Sequence, residues 1–165
     1  VDASRFDVVT CSAYKWLMSP RGSAFMSVSP RLLEQLTPQA AGWFAGADIH
    51  GSYYGMPLRL AADARRLDVS PAWFSWVGTT PALEVIAEVG VDAIHAHDVA
   101  LANRLRAGLG LEPSNSAIVS ADVPHAAGRL AGTEVQAATR AGALRASFHL
   151  YNTEADVDRL LELLA

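Results

Sequence analysis

Residues 70–109 carry helical periodicity and lie between two β-rich ends, an order that restricts the fold more than any other feature. "VDAIHAHDVALANRLRAGL" (91–109) sets Val91, Ile94, Leu101, Leu105 and Leu109 on one helical stripe. "SPAWFSWVGTTPALEVIAEVG" (70–90) reads as a helix capped by Ser70, with Pro71 in its first turn and a break near Gly78. Upstream, "DVVTCSA" (7–13) is apolar on both faces and predicts a buried strand, of the kind whose carboxyl end borders ligands in parallel α/β sheets. The turn Ser19-Pro20-Arg21-Gly22 leads into a second strand, "GSAFMSV" (22–28), and Ser29 caps a short helix, "SPRLLEQL".

Downstream the pattern changes. "SAIVSA" (116–121), "TEVQAAT" (133–139) and "ALRASFH" (143–149) are strand-like, with a short helix "PHAAGRLAG" between the first two. "TEADVDRLLELL" closes the chain as a helix with a Thr153…Asp156 capping arrangement. The residues between Thr37 and Gly55 are irregular and rich in glycine and aromatics, as functional loops are. The expected division is 1–69, 70–110 as connecting helices, and 111–165 as a compact α+β unit. With 51% apolar residues among 165, a real core can form. The net charge of −4 and the lack of a basic block argue against nucleic acid as a partner, and no apolar run is long enough for a membrane span. Cys11 is the only cysteine, which excludes an internal disulfide and agrees with a reducing, cytoplasmic setting.

Thirteen residues are basic, and Lys15 is the only lysine among them. An arginine stays protonated and attacks poorly, whereas a desolvated lysine can attack a carbonyl. Tyr14, Trp16, Leu17 and Met18 flank Lys15 and are expected to exclude water from its amine. A snorkelling surface lysine is the competing reading. Ser12 and Tyr14 bring hydroxyls suited to a phosphate. Arg145, at a strand position among apolar neighbours, offers a planar fork for a carboxylate, with a structural ion pair as the alternative. His95 and His97 are two apart on a helix and point to different sides, so no metal site is expected.

"SAYKWLMSPRG" resembles the Ser-x-His-Lys-Trp-x-x-Gly-Pro-x-Gly segment of class V aminotransferases. "LRASFHLYNTEADVDRLLELL" resembles that family's Arg-x-Ser-x-x-x-Tyr-Asn-Thr segment and last helix, in the expected order and separation. The resemblance implies fold-type I, an α/β class: here the end of a large domain, with part of its mixed sheet and helices, followed by a small C-terminal α+β domain. It implies pyridoxal 5′-phosphate as cofactor, with Lys15 as the Schiff-base lysine. Ser12, and Tyr14 in the place usually held by histidine, would contact the phosphate, with Ser70 standing for a threonine that reaches the partner subunit's phosphate. Arg145 would hold the α-carboxylate of an amino-acid substrate, and His50 lies in a loop that lines the substrate pocket in the family.

The same likeness implies a homodimer and an aminotransferase, epimerase or C–S lyase. "GTEVQAATRAGALRAS" carries no cysteine where desulfurases place theirs, so a persulfide route is disfavoured. The family's ring-nitrogen aspartate and ring stacker lie upstream of the lysine, beyond what fourteen residues can hold. The chain therefore reads as the C-terminal portion of an enzyme, inactive alone. The alternative is a non-catalytic fragment or degenerate homologue that serves assembly.

Overall fold

The computed structural model describes residues 2–165 and divides into two compact units, one ending at Val85 and the other running from Ile86 to Ala165.

In the first unit, β1 (Val8–Ser12) pairs antiparallel with β2 (Ala24–Val28), in a register that sets Cys11 opposite Phe25 and Ser12 opposite Ala24. The connection, residues 13–23, is shorter than the dozen or more residues a parallel crossover needs, so the chain can only turn back. This corrects the expectation of a buried, parallel-type strand. Val8, Phe25 and Met26 are exposed, and no third strand joins the pair among the described residues. Apolarity on both faces reports what a strand can tolerate, and does not say what covers it. Ser29 caps α1 (Pro30–Leu33) as expected, its hydroxyl accepting from the Leu32 N–H at 3.3 Å.

Helix α2 (Trp73–Val89) also departs from the sequence expectation. It begins at Trp73, so Ser70 lies outside it, and it continues through Gly78 and Pro81. Gly78 marks a close approach: a Cβ there would lie 2.5 Å from Cγ of Pro20. The Gly78→Ala variant gains up to ~1 kcal/mol of helix propensity but overpacks a ring that cannot swing aside, at roughly 1–3 kcal/mol. Net destabilisation is expected, read as a lower urea midpoint by tryptophan fluorescence; an unchanged or raised midpoint would refute it.

The second unit is a three-stranded antiparallel sheet in the order β3-β5-β4, with helices packed on one face. Its elements are α3 (Val91–Gly108), β3 (Ile118–Ala121), α4 (Ala126–Leu130), β4 (Ala138–Arg140), β5 (Ala143–Ser147) and α5 (Glu154–Leu164). Leu101 and Leu105 of the predicted α3 stripe meet Val119, Leu144, Ala146, Val157, Leu160 and Leu164 in one core. The capping box forms as expected, with Thr153 and Asp156 bonding each other's backbone N–H. β4 is shorter and later than the expected 133–139. The Thr133 hydroxyl donates to the Leu130 carbonyl and accepts from the Val135 N–H, which commits that backbone to the end of α4 instead.

One buried polar group stands out. Asp98 falls on the α3 stripe between Ile94 and Leu101, is 2% exposed, and its Oδ1 has no hydrogen-bond partner. Burial pushes its carboxyl above the usual 3.8, opposed by the nearby His149, His97 and His95. The folded state therefore holds its proton to higher pH than the unfolded chain, and stability falls as pH rises through the interval above 3.8. Asp98→Asn is expected to flatten that decline, measured as unfolding midpoints across pH. An unchanged slope would contradict this account.

Candidate active site

Ser12 ends β1, and the chain then turns tightly: the Lys15 N–H donates to the Ser12 carbonyl at 3.2 Å and the Met18 N–H to the Lys15 carbonyl at 3.0 Å. Met18 takes a left-handed conformation (φ 54°), which closes the turn. Ala13, wholly buried, anchors its base by accepting from Ser19 N–H and donating to the Ser23 carbonyl. Helix α2 then holds the loop at three points. Pro20 seats on Gly78, the Ser75 hydroxyl donates to the Arg21 carbonyl at 2.6 Å, and Ser23 bonds Thr79 at 2.8 Å in a buried hydroxyl pair. The Thr79 proton goes to the Ser75 carbonyl, so Ser23 is the donor in that pair. Gly22 (φ +113°) sits against the Ser75 hydroxyl, where a side chain would be both strained and blocked.

The turn thus brings Ser12, Tyr14 and Lys15 together on one small, braced loop. The Arg21 guanidinium lies 4.3 Å from the Tyr14 ring centroid and the Lys15 Nζ 5.8 Å from it, so two cations gather around one phenol. Lys15 itself is exposed, as are Tyr14 and Trp16. The dry enclosure expected from its sequence neighbours is not made by them. A turn of this kind fans successive side chains outward, and adjacency in sequence is not adjacency in space.

Ser70 lines a hollow of about 270 Å³ with Gly22, Phe44, Asp68, Pro71 and Trp76. Burial raises the Asp68 carboxyl, with Arg65 pulling it back and Asp63 adding to the rise. His50 lies in a 3-10 turn (His50–Ser52), its Nδ1 2.8 Å from the Tyr53 hydroxyl. It is not among the residues lining the neighbouring 330 Å³ hollow that Asp48, Gly51, Ser52, Tyr54 and Met56 border. Arg65 binds backbone, donating to the carbonyls of Phe44 and Gly46 at 2.8 and 2.6 Å.

Arg145 belongs to the second unit. Leu144 and Ala146 point into the core, so Arg145 occupies the opposite face of β5, half-buried, with Ser120 and Ala138 as its cross-strand partners. Arg104 and Arg159 of this unit hold Asp158, Glu154, Glu134 and Glu162, but Arg145 takes part in no ion pair among the described residues. The structural ion pair that competed with a binding role is therefore not made.

Sequence reasoning missed the Ser23–Thr79 bond and Asp98. Nothing in the sequence signalled the first. The second was legible, because position 98 continues the 94, 101, 105 spacing and a carboxylate there must be buried.

The class-V aminotransferase model matches residues 1–131. Isopenicillin N epimerase of Streptomyces clavuligerus is 27% identical over 99% of this chain and 48% of its own length. The uncharacterized aminotransferase YcbU of Bacillus subtilis is 27% identical over 96% of the chain and 45% of its own. The chain spans about half the length of these curated relatives. Among solved structures, the cystine C-S lyase C-DES in complex with cysteine persulfide superposes with a TM-score of 0.81 at 22% identity, covering 99% of this chain and 48% of its own. The cysteine desulfurase CsdA of Escherichia coli gives 0.72 at 20% identity, over 99% and 47%. A C-DES mutant with glycine covalently linked to its PLP cofactor gives 0.77 at 22%, over 99% and 47%. At these identities the likeness carries the fold, with this chain corresponding to about half of it. The match over residues 1–131 carries the descent: this chain belongs to the class-V aminotransferase family.

Proposed function

We propose that this chain is the lysine- and arginine-bearing part of a pyridoxal 5′-phosphate enzyme acting on an amino acid, by transamination, epimerisation or C–S cleavage. The observation that carries the reading is that the only ε-amine of a class-V chain sits on a loop braced three times by α2. The residues there fit the cofactor's chemistry: an accessible amine for its aldehyde, and the hydroxyls of Ser12 and Tyr14 for its phosphate oxygens, with Arg21 adding positive charge. Ser70 is assigned to a phosphate contact as well.

When bound, the cofactor supplies an electron sink for the substrate's Cα. The chain's own residues do the rest. Lys15 Nζ would hold the cofactor, and its amine would carry a proton to or from the substrate Cα. Arg145, which takes part in no ion pair among the described residues, receives the α-carboxylate in a two-pronged grip. His50 contributes to the substrate side, its Nδ1 oriented by Tyr53. Residues 1–69 are assigned to the end of the cofactor-binding domain, 70–110 to the connection and 111–165 to the small domain. The complete enzyme is read as a cytoplasmic homodimer.

The test is to add pyridoxal phosphate to the protein, reduce with borohydride and map the modified peptide. One cofactor per chain on Lys15 is expected. Attachment elsewhere would overturn the assignment, and weak uptake at no fixed position would favour the assembly reading.

A further inference from the structure

Arg140 shares a sheet face with Arg145. The β4–β5 register sets Ala138 opposite Arg145 and Arg140 opposite Ala143, so alternation puts the two arginines on the same side, two register positions apart with the Thr139–Leu144 pair between. Such diagonal neighbours have backbones about 7–8 Å apart, within reach of two long side chains converging on one ligand. The two-residue turn between the strands holds both of its members at positive φ, Ala141 at 49° and Gly142 at 83°, the geometry that fixes hairpin register.

The surroundings argue against a role in stability. Around the pair the face carries Ser120, Ala138, Ala143 and Ser147, all small, with the exposed Ile118 at the far end of β3, and no acid among them. Neither arginine takes part in an ion pair among the described residues, and the polar contact made by Arg140 is a 3.1 Å bond from Nη1 to the adjacent Thr139 carbonyl. Two guanidiniums on one face without an acid repel each other, a cost that a doubly anionic ligand removes.

We propose that Arg140 and Arg145 form a two-guanidinium site and that the substrate is an amino acid bearing a second carboxylate on its side chain, Arg145 taking the α-carboxylate and Arg140 the distal one. The proposal rests on the assignment of Arg145 above.

The experiment titrates the protein with glutarate and with butyrate, following arginine Nε–H signals by NMR, in the native chain and in Arg140→Ala and Arg145→Ala. Glutarate is expected to bind more tightly than butyrate. Arg140→Ala should weaken glutarate at least fivefold and leave butyrate unchanged, while Arg145→Ala weakens both. If Arg145→Ala weakens both but Arg140→Ala changes neither, the two-arginine site fails and the Arg145 assignment survives. If Arg145→Ala changes neither, the assignment fails and the proposal with it. Equal weakening of both ligands by Arg140→Ala would reduce that residue to a diffuse positive field and overturn the proposal. A third ligand, 3-sulfopropionate, binding more tightly than glutarate would overturn the choice of a carboxylate as the second anion.

Discussion

Lys15→Ala in the complete enzyme is expected to lower turnover at least ~10³-fold and to abolish borohydride-stable cofactor attachment. Proton transfer by a positioned side chain is worth roughly 10²–10⁴-fold, and Lys15 serves as covalent anchor besides. Lys15→Arg is the informative companion. It keeps a cation on the same braced loop, beside the same Tyr14 ring, but is too weakly nucleophilic to react. If the residue matters only as charge, Arg restores activity; if the amine is the reagent, Arg is as dead as Ala. Retained attachment in Lys15→Ala, seen by mass spectrometry of the reduced protein, would remove the assignment. No other lysine lies among these 165 residues to take over.

Leu105→Ala should produce the largest loss of stability. Leu105 is wholly buried on α3, within the cluster that joins Val119, Leu144, Val157 and Leu160. Truncating such a leucine costs about 2–5 kcal/mol, a large share of the 5–15 kcal/mol that typical domains possess. The damage should be local to the second unit. All four tryptophans, Trp16, Trp43, Trp73 and Trp76, lie in the first unit, so their fluorescence reports that unit alone. Helical circular dichroism draws on α3 and α5 as well. The variant is expected to lower the midpoint of the dichroism transition while the fluorescence transition moves little. Equal shifts in both would show that the two units unfold as one.

The parts of this structure legible in the sequence share a property: their cause is local. As caps, Ser29 and Thr153 each accept from a backbone N–H three residues on, and the α3 stripe is a matter of spacing. The parts that were not legible depend on what lies across a gap in the chain. Gly78 read as a helix break because its lack of a side chain is explained only by Pro20, fifty-eight positions away. Thr133 read as strand because its hydroxyl's commitment to Leu130 is invisible to alternation. Lys15 was identified by being singular, yet its exposure could not be read from flanking aromatics. The face occupied by Arg145 follows from β5 alternation, whereas its lack of an acidic partner needed the placement of every acid in the unit.

The β1–β2 ribbon has a consequence for handling the protein. Among the described residues no third strand pairs with either rim of the ribbon, whereas β5 is bonded on both flanks. A two-stranded ribbon is marginal by itself, and its free rims are templates for further strands. For these 165 residues by themselves, a further strand has its docking rim beside the very loop that carries the amine.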